Sequence, residues 1–275
     1  MTLPSWVIPG SAVLYCAACA VLQSPSEHTR TLAADAGFVP VEVPDARLRA
    51  YARRVAAGDA HARVTVYVES DGAPWRLPDE PPADPTPLNP LVLRMAIADS
   101  SPATAYLGRP CQYLREADRL KCDPNLWMRA RFSDQAVTAM SQAVDQIKRG
   151  YGAAEVNLVG YSGGGSMAAL IAARRNDVSC LVTIAAPLDT NAWTDALHVS
   201  RLDLSLNPVD AADKLRDVRQ THFRGLRDNL VPASTSQRFF EGVPGAKIVD
   251  KASFDHRCCW SDEWKELRRA SCLAQ

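Results

Sequence analysis

Short apolar runs rich in β-branched residues alternate along this chain with stretches whose apolar residues recur every third or fourth position. Residues 38–43 and 64–68 (VTVYV) have the first pattern and are bounded by turn formers, so they read as strands. Residues 136–149 (AVTAMSQAVDQIKR) have the second and place Val137, Met140, Val144 and Ile147 on one helical face. Further on, the pattern predicts strand 156–159, helix 166–175, strands 180–184 and 221–224, helix 235–241, strand 247–249 and helix 261–269. Strands that alternate with helices predict an α/β fold, with a mostly parallel central sheet covered by helices on both faces. The Pro-rich run LPDEPPADPTPLNP, residues 77–90, interrupts this order and reads as a surface loop rather than a linker.

The amino end follows a different pattern. Residues 1–26 carry no charged side chain, and 6–22 (WVIPGSAVLYCAACAVL) are almost continuously apolar, though Pro9 and Gly10 interrupt them. Seventeen residues are short for a membrane-spanning helix. An apolar middle followed by small residues fits a signal-like leader, with Ala18-Cys19-Ala20 as an A-x-A-like cleavage site. Cys19 is an alternative point of lipid attachment, and a buried amino-terminal helix is a third reading. The expected organisation is therefore a leader or hydrophobic anchor over residues 1–23 and a single α/β domain over 24–275.

Composition narrows the field. Of the 275 residues, 47% are hydrophobic and 23% charged, which excludes a disordered or fibrous chain. Thirty-one basic residues balance thirty-one acidic ones, so no bulk field directs the chain to nucleic acid. Removing Cys16 and Cys19 from the eight cysteines leaves Cys111, Cys122, Cys180, Cys258, Cys259 and Cys272. An even number in an exported chain predicts disulfides and an oxidising compartment, periplasmic or at a bacterial membrane. Cys111 and Cys122 are the best local pair, and closing their short loop contributes roughly 3 kcal/mol in the chain-entropy model. The connectivity of Cys180, Cys258, Cys259 and Cys272 stays open. Zinc is not expected, because no C-x-x-C pair remains among these six.

The segment EVNLVGYSGGGSMAALIAARR carries the most chemistry. A strand runs into Gly160-Tyr161-Ser162-Gly163-Gly164, a G-x-S-x-G, and an Ala- and Leu-rich helix follows at once. Such a turn exposes the serine Oγ at a helix amino end, and bulky neighbours would collide with it. There the helix dipole favours developing negative charge and the Gly163 N–H can donate to an oxyanion. The plainer reading is a Gly-rich turn that cradles a phosphate. No Walker lysine follows, however, and the segment is not a G-x-G-x-x-G.

With these residues the chain resembles the α/β-hydrolase superfamily of serine hydrolases, whose triad runs in the order Ser, acid, His. Three histidines follow Ser162: His198, His222 and His256. His222 lies within a strand and His198 precedes any plausible acid. His256 lies in the loop between the last strand and the last helix, where the resemblance places the base. The resemblance also implies an acid in a G-x-x-D-x-x-V-P loop, and Asp228 fills that position in GLRDNLVP. Asp189, Asp210, Asp250 and Asp255 are the competitors. A second oxyanion donor is expected in the loop after strand VTVYV, at the N–H of Asp71 or Gly72. Segments VYVESDGAPW, AYLGRPCQYL, WMRARFS, LVGYSGGG, IAAPLDTNAWT and FDHRCCW are similar to a group of exported or lipoprotein-type bacterial α/β hydrolases.

The expected activity is cleavage of a small-molecule ester through an acyl-enzyme, without metal or organic cofactor. Peptidase, amidase or thioesterase chemistry with the same triad is one alternative, and a non-catalytic binding protein that keeps the fold is another. The insertion between strands LVTIAAP and THFRG is short and polar, unlike the long apolar lid of an interfacially activated lipase. Within it, Trp193 and Leu197 are expected to anchor the loop more than to line an acyl pocket. Membrane attachment is expected only through the amino-terminal segment.

Overall fold

The computed structural model describes residues 24–56, 61–73 and 82–274, so the leader expected over 1–23 lies outside the described residues, with Cys16 and Cys19. Eight strands form one sheet: β1 (Phe38–Val41), β2 (Ala50–Arg53), β3 (Arg63–Val68), β4 (Thr104–Leu107), β5 (Glu155–Tyr161), β6 (Val178–Ile184), β7 (Arg219–Gly225) and β8 (Lys247–Lys251). Their spatial order is β1-β2-β4-β3-β5-β6-β7-β8. Only β2 runs against the rest, pairing antiparallel with both β1 and β4. The helices are α1 (Pro25–Asp35), α2 (Leu91–Ala98), α3 (Glu116–Arg119), α4 (Asp134–Gly150), α5 (Gly163–Ala172), α6 (Thr190–Ala196), α7 (Gln237–Gly242) and α8 (Trp264–Arg269).

The central strands are buried on both faces, as a parallel sheet requires. Val64, Val66 and Val68 of β3 and Leu158 of β5 face one core with α4, α5 and α7. Tyr67 of β3 and Val159 of β5 face the other, with α2 and α8. Helix α4 forms where its periodicity predicts and buries Val137, Met140, Val144 and Ile147. Its start is fixed by the Ser133 side chain, which accepts from the Ala136 N–H, and by Asp134 in the first turn; Lys148 and Arg149 in the last turn complement the dipole. Helix α5 is buried at every residue, which its Gly- and Ala-rich sequence permits because small residues let it lie directly on the sheet.

Several elements differ from the sequence expectation. Strands β2 and β4 and helices α1, α2, α3 and α6 are additional, and α5 starts three residues earlier than the apolar pattern predicts, immediately after Ser162. The last helix begins at Trp264 rather than 261, and α7 is preceded by a 3-10 turn, Ala233–Ser236. The Cys111–Cys122 pair predicted from the sequence is a disulfide, with its Cα atoms 6.3 Å apart. The loop it closes contains the short helix α3. Two further disulfides join Cys180 to Cys272 and the adjacent Cys258 and Cys259. No helix among the described residues is long and apolar enough to cross a membrane.

Candidate active site

The site lies at the carboxyl ends of the parallel strands, where β5, β7 and β8 each hand over to a loop. Ser162 sits between β5 and α5 with φ 55° and ψ −130°, a left-handed conformation that a non-glycine residue adopts only when its surroundings hold it there. Two hydrogen bonds do so: the Ser162 N–H donates to the Ile184 carbonyl at 2.8 Å, and its own carbonyl accepts from the Gly165 N–H at 2.9 Å. The turn is also sterically closed. A Cβ at Gly160 would strike the backbone of Gly164 and Gly165, and one at Gly164 would strike the Val68 and Glu69 carbonyls. The glycines of this motif are therefore demanded by the approach of strand, turn and helix.

His256 Nε2 lies 3.1 Å from Ser162 Oγ, and His256 Nδ1 lies 2.8 Å from Asp228 Oδ2. The sequence-predicted residues Ser162, Asp228 and His256 thus meet in one chain of hydrogen bonds, although 94 positions separate serine from histidine. The Asp228 side chain is fully buried, and its other oxygen, Oδ1, accepts from the N–H groups of Leu230 (2.9 Å) and Val231 (2.7 Å). Both carboxylate oxygens are therefore satisfied, and the ring has one orientation available to it.

The loop that carries His256 is fastened from below. Its carbonyl accepts from the Tyr161 hydroxyl at 2.5 Å and from the Trp260 indole at 3.2 Å. Burial, and then the Asp228 carboxylate, push the Tyr161 phenol well up, so it remains a neutral donor. Asp255 is occupied by its own loop, accepting from the N–H groups of Arg257 (2.7 Å) and Cys258 (2.8 Å). The remaining competitors are also structural. Asp189 caps α6, Asp250 pairs with Arg224, and Asp210 lies in the first turn of the 3-10 helix Pro208–Leu215. Of the other histidines, His222 is buried inside β7 and His198 is exposed after α6.

Gly163 opens α5, and the Asp71 carboxylate lies against its Cα, so that a Cβ at Gly163 would collide with it. The segment Glu69 to Gly72 after β3 is thereby brought beside the serine. Within it, the Gly72 N–H is directed at the Ser70 hydroxyl, 3.4 Å away, and the bare Cα of Gly72 packs under Pro85 and Gln112 rather than facing a ligand. Sequence reasoning did not find the groups that surround Asp71. Its carboxylate pairs with Arg109 at 3.2 Å and with Arg131 at 2.9 Å. Desolvation opposes its charge, but the two guanidiniums outweigh it and hold the carboxyl below its usual range. These pairs span 38 and 60 positions, and no local pattern announces them. Trp193 anchors its loop as expected, its indole donating to the Leu230 carbonyl at 2.7 Å.

Comparison with known proteins agrees with this architecture. A family model described as alpha/beta hydrolase fold matches residues 100–222. Among solved structures, puromycin hydrolase superposes with a TM-score of 0.54 at 18% identity, over 80% of this chain and 35% of that one. The acylaminoacyl peptidase of Pyrococcus horikoshii gives 0.55 at 12% identity, over 86% of this chain and 38% of that one. The esterase domain of a Rhodothermus marinus protein gives 0.55 at 15% identity, over 86% of this chain and 98% of that domain. The chain thus spans little more than a third of the length of the first two. A search of curated proteins gives no match. Strand order, the superposed structures and the match over residues 100–222 show the α/β-hydrolase fold.

Proposed function

We propose that the protein is a serine hydrolase that cleaves a small-molecule ester by acyl transfer to water. In this reading Ser162 Oγ attacks the acyl carbonyl while His256 Nε2 takes its proton, and the carbonyl oxygen becomes an oxyanion. The N–H groups of Gly163 and Asp71 receive that oxyanion; Asp71 is preferred to Gly72 because the Gly72 N–H is directed at Ser70. His256 then protonates the leaving alkoxide as the carbonyl re-forms, which leaves an acyl-serine. His256 Nε2 then takes a proton from water, whose oxygen attacks the acyl-serine, and returns that proton to Ser162 Oγ as the acid leaves. Asp228 holds the His256 tautomer and stabilises its charged form without taking the proton.

The observation that carries this reading is the continuous chain from Ser162 Oγ through His256 to Asp228, at 3.1 and 2.8 Å. The short lid helix α6, only seven residues, favours a soluble ester over an emulsified lipid. An oxidising location outside the cytosol is supported by the three disulfides.

A fluorophosphonate probe tests the chemistry directly. The expected result is one adduct on Ser162, abolished by Ser162→Ala and slowed by roughly three orders of magnitude or more by His256→Ala. Labelling that survives His256→Ala at the native rate in folded protein overturns the reading. A panel of p-nitrophenyl esters set against aminoacyl amides then tests the ester assignment, with faster turnover expected on the esters.

A further inference from the structure

The Asp71 loop presents a contradiction that its neighbours resolve. If the Asp71 N–H is an oxyanion donor, its carboxylate is brought to the same place, against the Gly163 Cα. A fixed negative charge beside a developing oxyanion opposes the reaction. Two unit charges ~6 Å apart at an effective dielectric of ~20 change a rate by roughly a hundredfold. A free carboxylate there would cancel much of what the two N–H donors contribute.

The carboxylate is not free. Arg109 Nη1 contacts Oδ1 and Arg131 Nη1 contacts Oδ2, so each oxygen has its own guanidinium. The Arg109 side chain is 4% exposed and that of Arg131 11%, while the Asp71 carboxylate between them keeps 25% of its surface open to water, so screening reaches the pair from the acid's side only. The two arginines are also tied together, since Arg109 Nη2 donates to the Arg131 carbonyl at 2.6 Å, and the Arg131 Nε donates to Met128 at 2.6 Å. The same turn holds the loop at two further points. Gln112 donates to the Ser70 carbonyl at 3.0 Å while accepting from the Arg109 N–H at 3.0 Å. Tyr113 reaches Glu69 at 3.3 Å, beside the stronger contact of Tyr106 at 2.7 Å. Cys111, between Arg109 and Gln112, anchors the turn to Cys122.

We propose that Arg109 and Arg131 are positioning residues for the oxyanion hole, which mask the Asp71 carboxylate and fix the backbone N–H of the same residue. This rests on the serine-hydrolase reading and goes beyond the triad. It accounts for one acid carrying two buried bases, an arrangement that is costly to bury and that a simple loop anchor does not need.

The test is a charge-suppression experiment on the full chain, with an ester substrate and thermal melting as the check on folding. Arg131→Gln strips the guanidinium from Oδ2 and leaves only Arg109, at 3.2 Å, on the carboxylate, so kcat should fall roughly tenfold with KM within about threefold. Adding Asp71→Asn in that background removes the half-masked charge and should restore kcat at least about threefold. A purely structural role predicts the opposite, because the second substitution removes further hydrogen bonds. The proposal is overturned if the folded double variant is no faster than Arg131→Gln, or if Arg131→Gln leaves kcat unchanged. Should Arg131→Gln not fold, Arg131→Lys decides the matter: it keeps a cation beside the carboxylate, so kcat should fall less than about threefold, and a larger loss in the folded variant overturns the proposal. Ester turnover that persists in Ser162→Ala would instead sink the triad reading, independently of these variants.

Discussion

His222 and His256 are the same residue type put to opposite uses, and the difference lies in what each ring touches. His256 is 14% exposed and has a carboxylate on one nitrogen and a hydroxyl on the other. His222 is buried in β7, with Thr183 at 2.7 Å, Gln220 at 3.1 Å and the rings of Phe239 and Phe240 about it. Burial, and then the Arg224 charge, drive its pKa from 6.5 down to about 3. The unfolded chain takes up this proton near pH 6.5 and the folded chain only near 3, so in between the unfolded state holds more protons. His222 therefore lends stability at neutral pH that is lost as pH falls through that window, at up to about 1.4 kcal/mol per pH unit. Urea titrations of wild type and His222→Gln at pH 7, 6, 5 and 4 should show the difference between them shrinking with acidity. A difference that stays constant across the series would contradict the buried neutral ring. The choice between the two histidines was legible in the sequence because it needs only topology: a strand interior against a loop. The partners of Asp71 were not, since Arg109 and Arg131 reach it only after the whole sheet has formed.

At the level of elements, legibility follows how local the cause is. The β5–α5 turn is written in consecutive residues, and helix α4 in a long, regular apolar stripe with caps, so both are readable. Strand β4 has four residues, all buried, and shows no alternation. Helix α2, LVLRMAIA, is eight residues of which five are buried, a run whose pattern does not separate a buried strand from a buried helix. Helix α1 buries only Thr29 and Ala33, and its signal lies in the Ser24 cap and Pro25 rather than in periodicity. The turn itself makes a sharp prediction. Gly160 faces backbone of Gly164 and Gly165, atoms that cannot swing aside, whereas Gly245 faces nothing within 4 Å. Gly160→Ala should lower stability by about 3 kcal/mol or more, or prevent folding. Gly245→Ala should change it by less than about 0.5 kcal/mol. Equal urea midpoints for the two variants would show that the turn can relax and that the motif does not depend on the close approach.

Across the whole molecule, two of the disulfides do different work. Cys111–Cys122 closes 11 positions and was recognisable as a local pair, whereas Cys180–Cys272 spans 92 and joins β6, an inner strand of the sheet, to the carboxyl-terminal turn Cys272–Ala274. Cysteine count alone leaves that second pairing open, because it depends on where the last helix returns to the sheet. In the chain-entropy model the longer loop stabilises by about 2 kcal/mol more than the shorter one. It also lies away from the serine, among the core packing of β6 and the final turn. The paired substitution Cys180→Ala/Cys272→Ala should therefore cost the more stability, about 5 kcal/mol by urea titration, and leave kcat at 25 °C within about twofold. Cys111→Ala/Cys122→Ala should cost less stability but more kcat, because the turn that carries Arg109 and Gln112 loses its anchor beside the Asp71 loop. A larger kcat loss from the long-range pair than from the local one would mean that the sheet, rather than the Arg109 turn, sets the Asp71 loop.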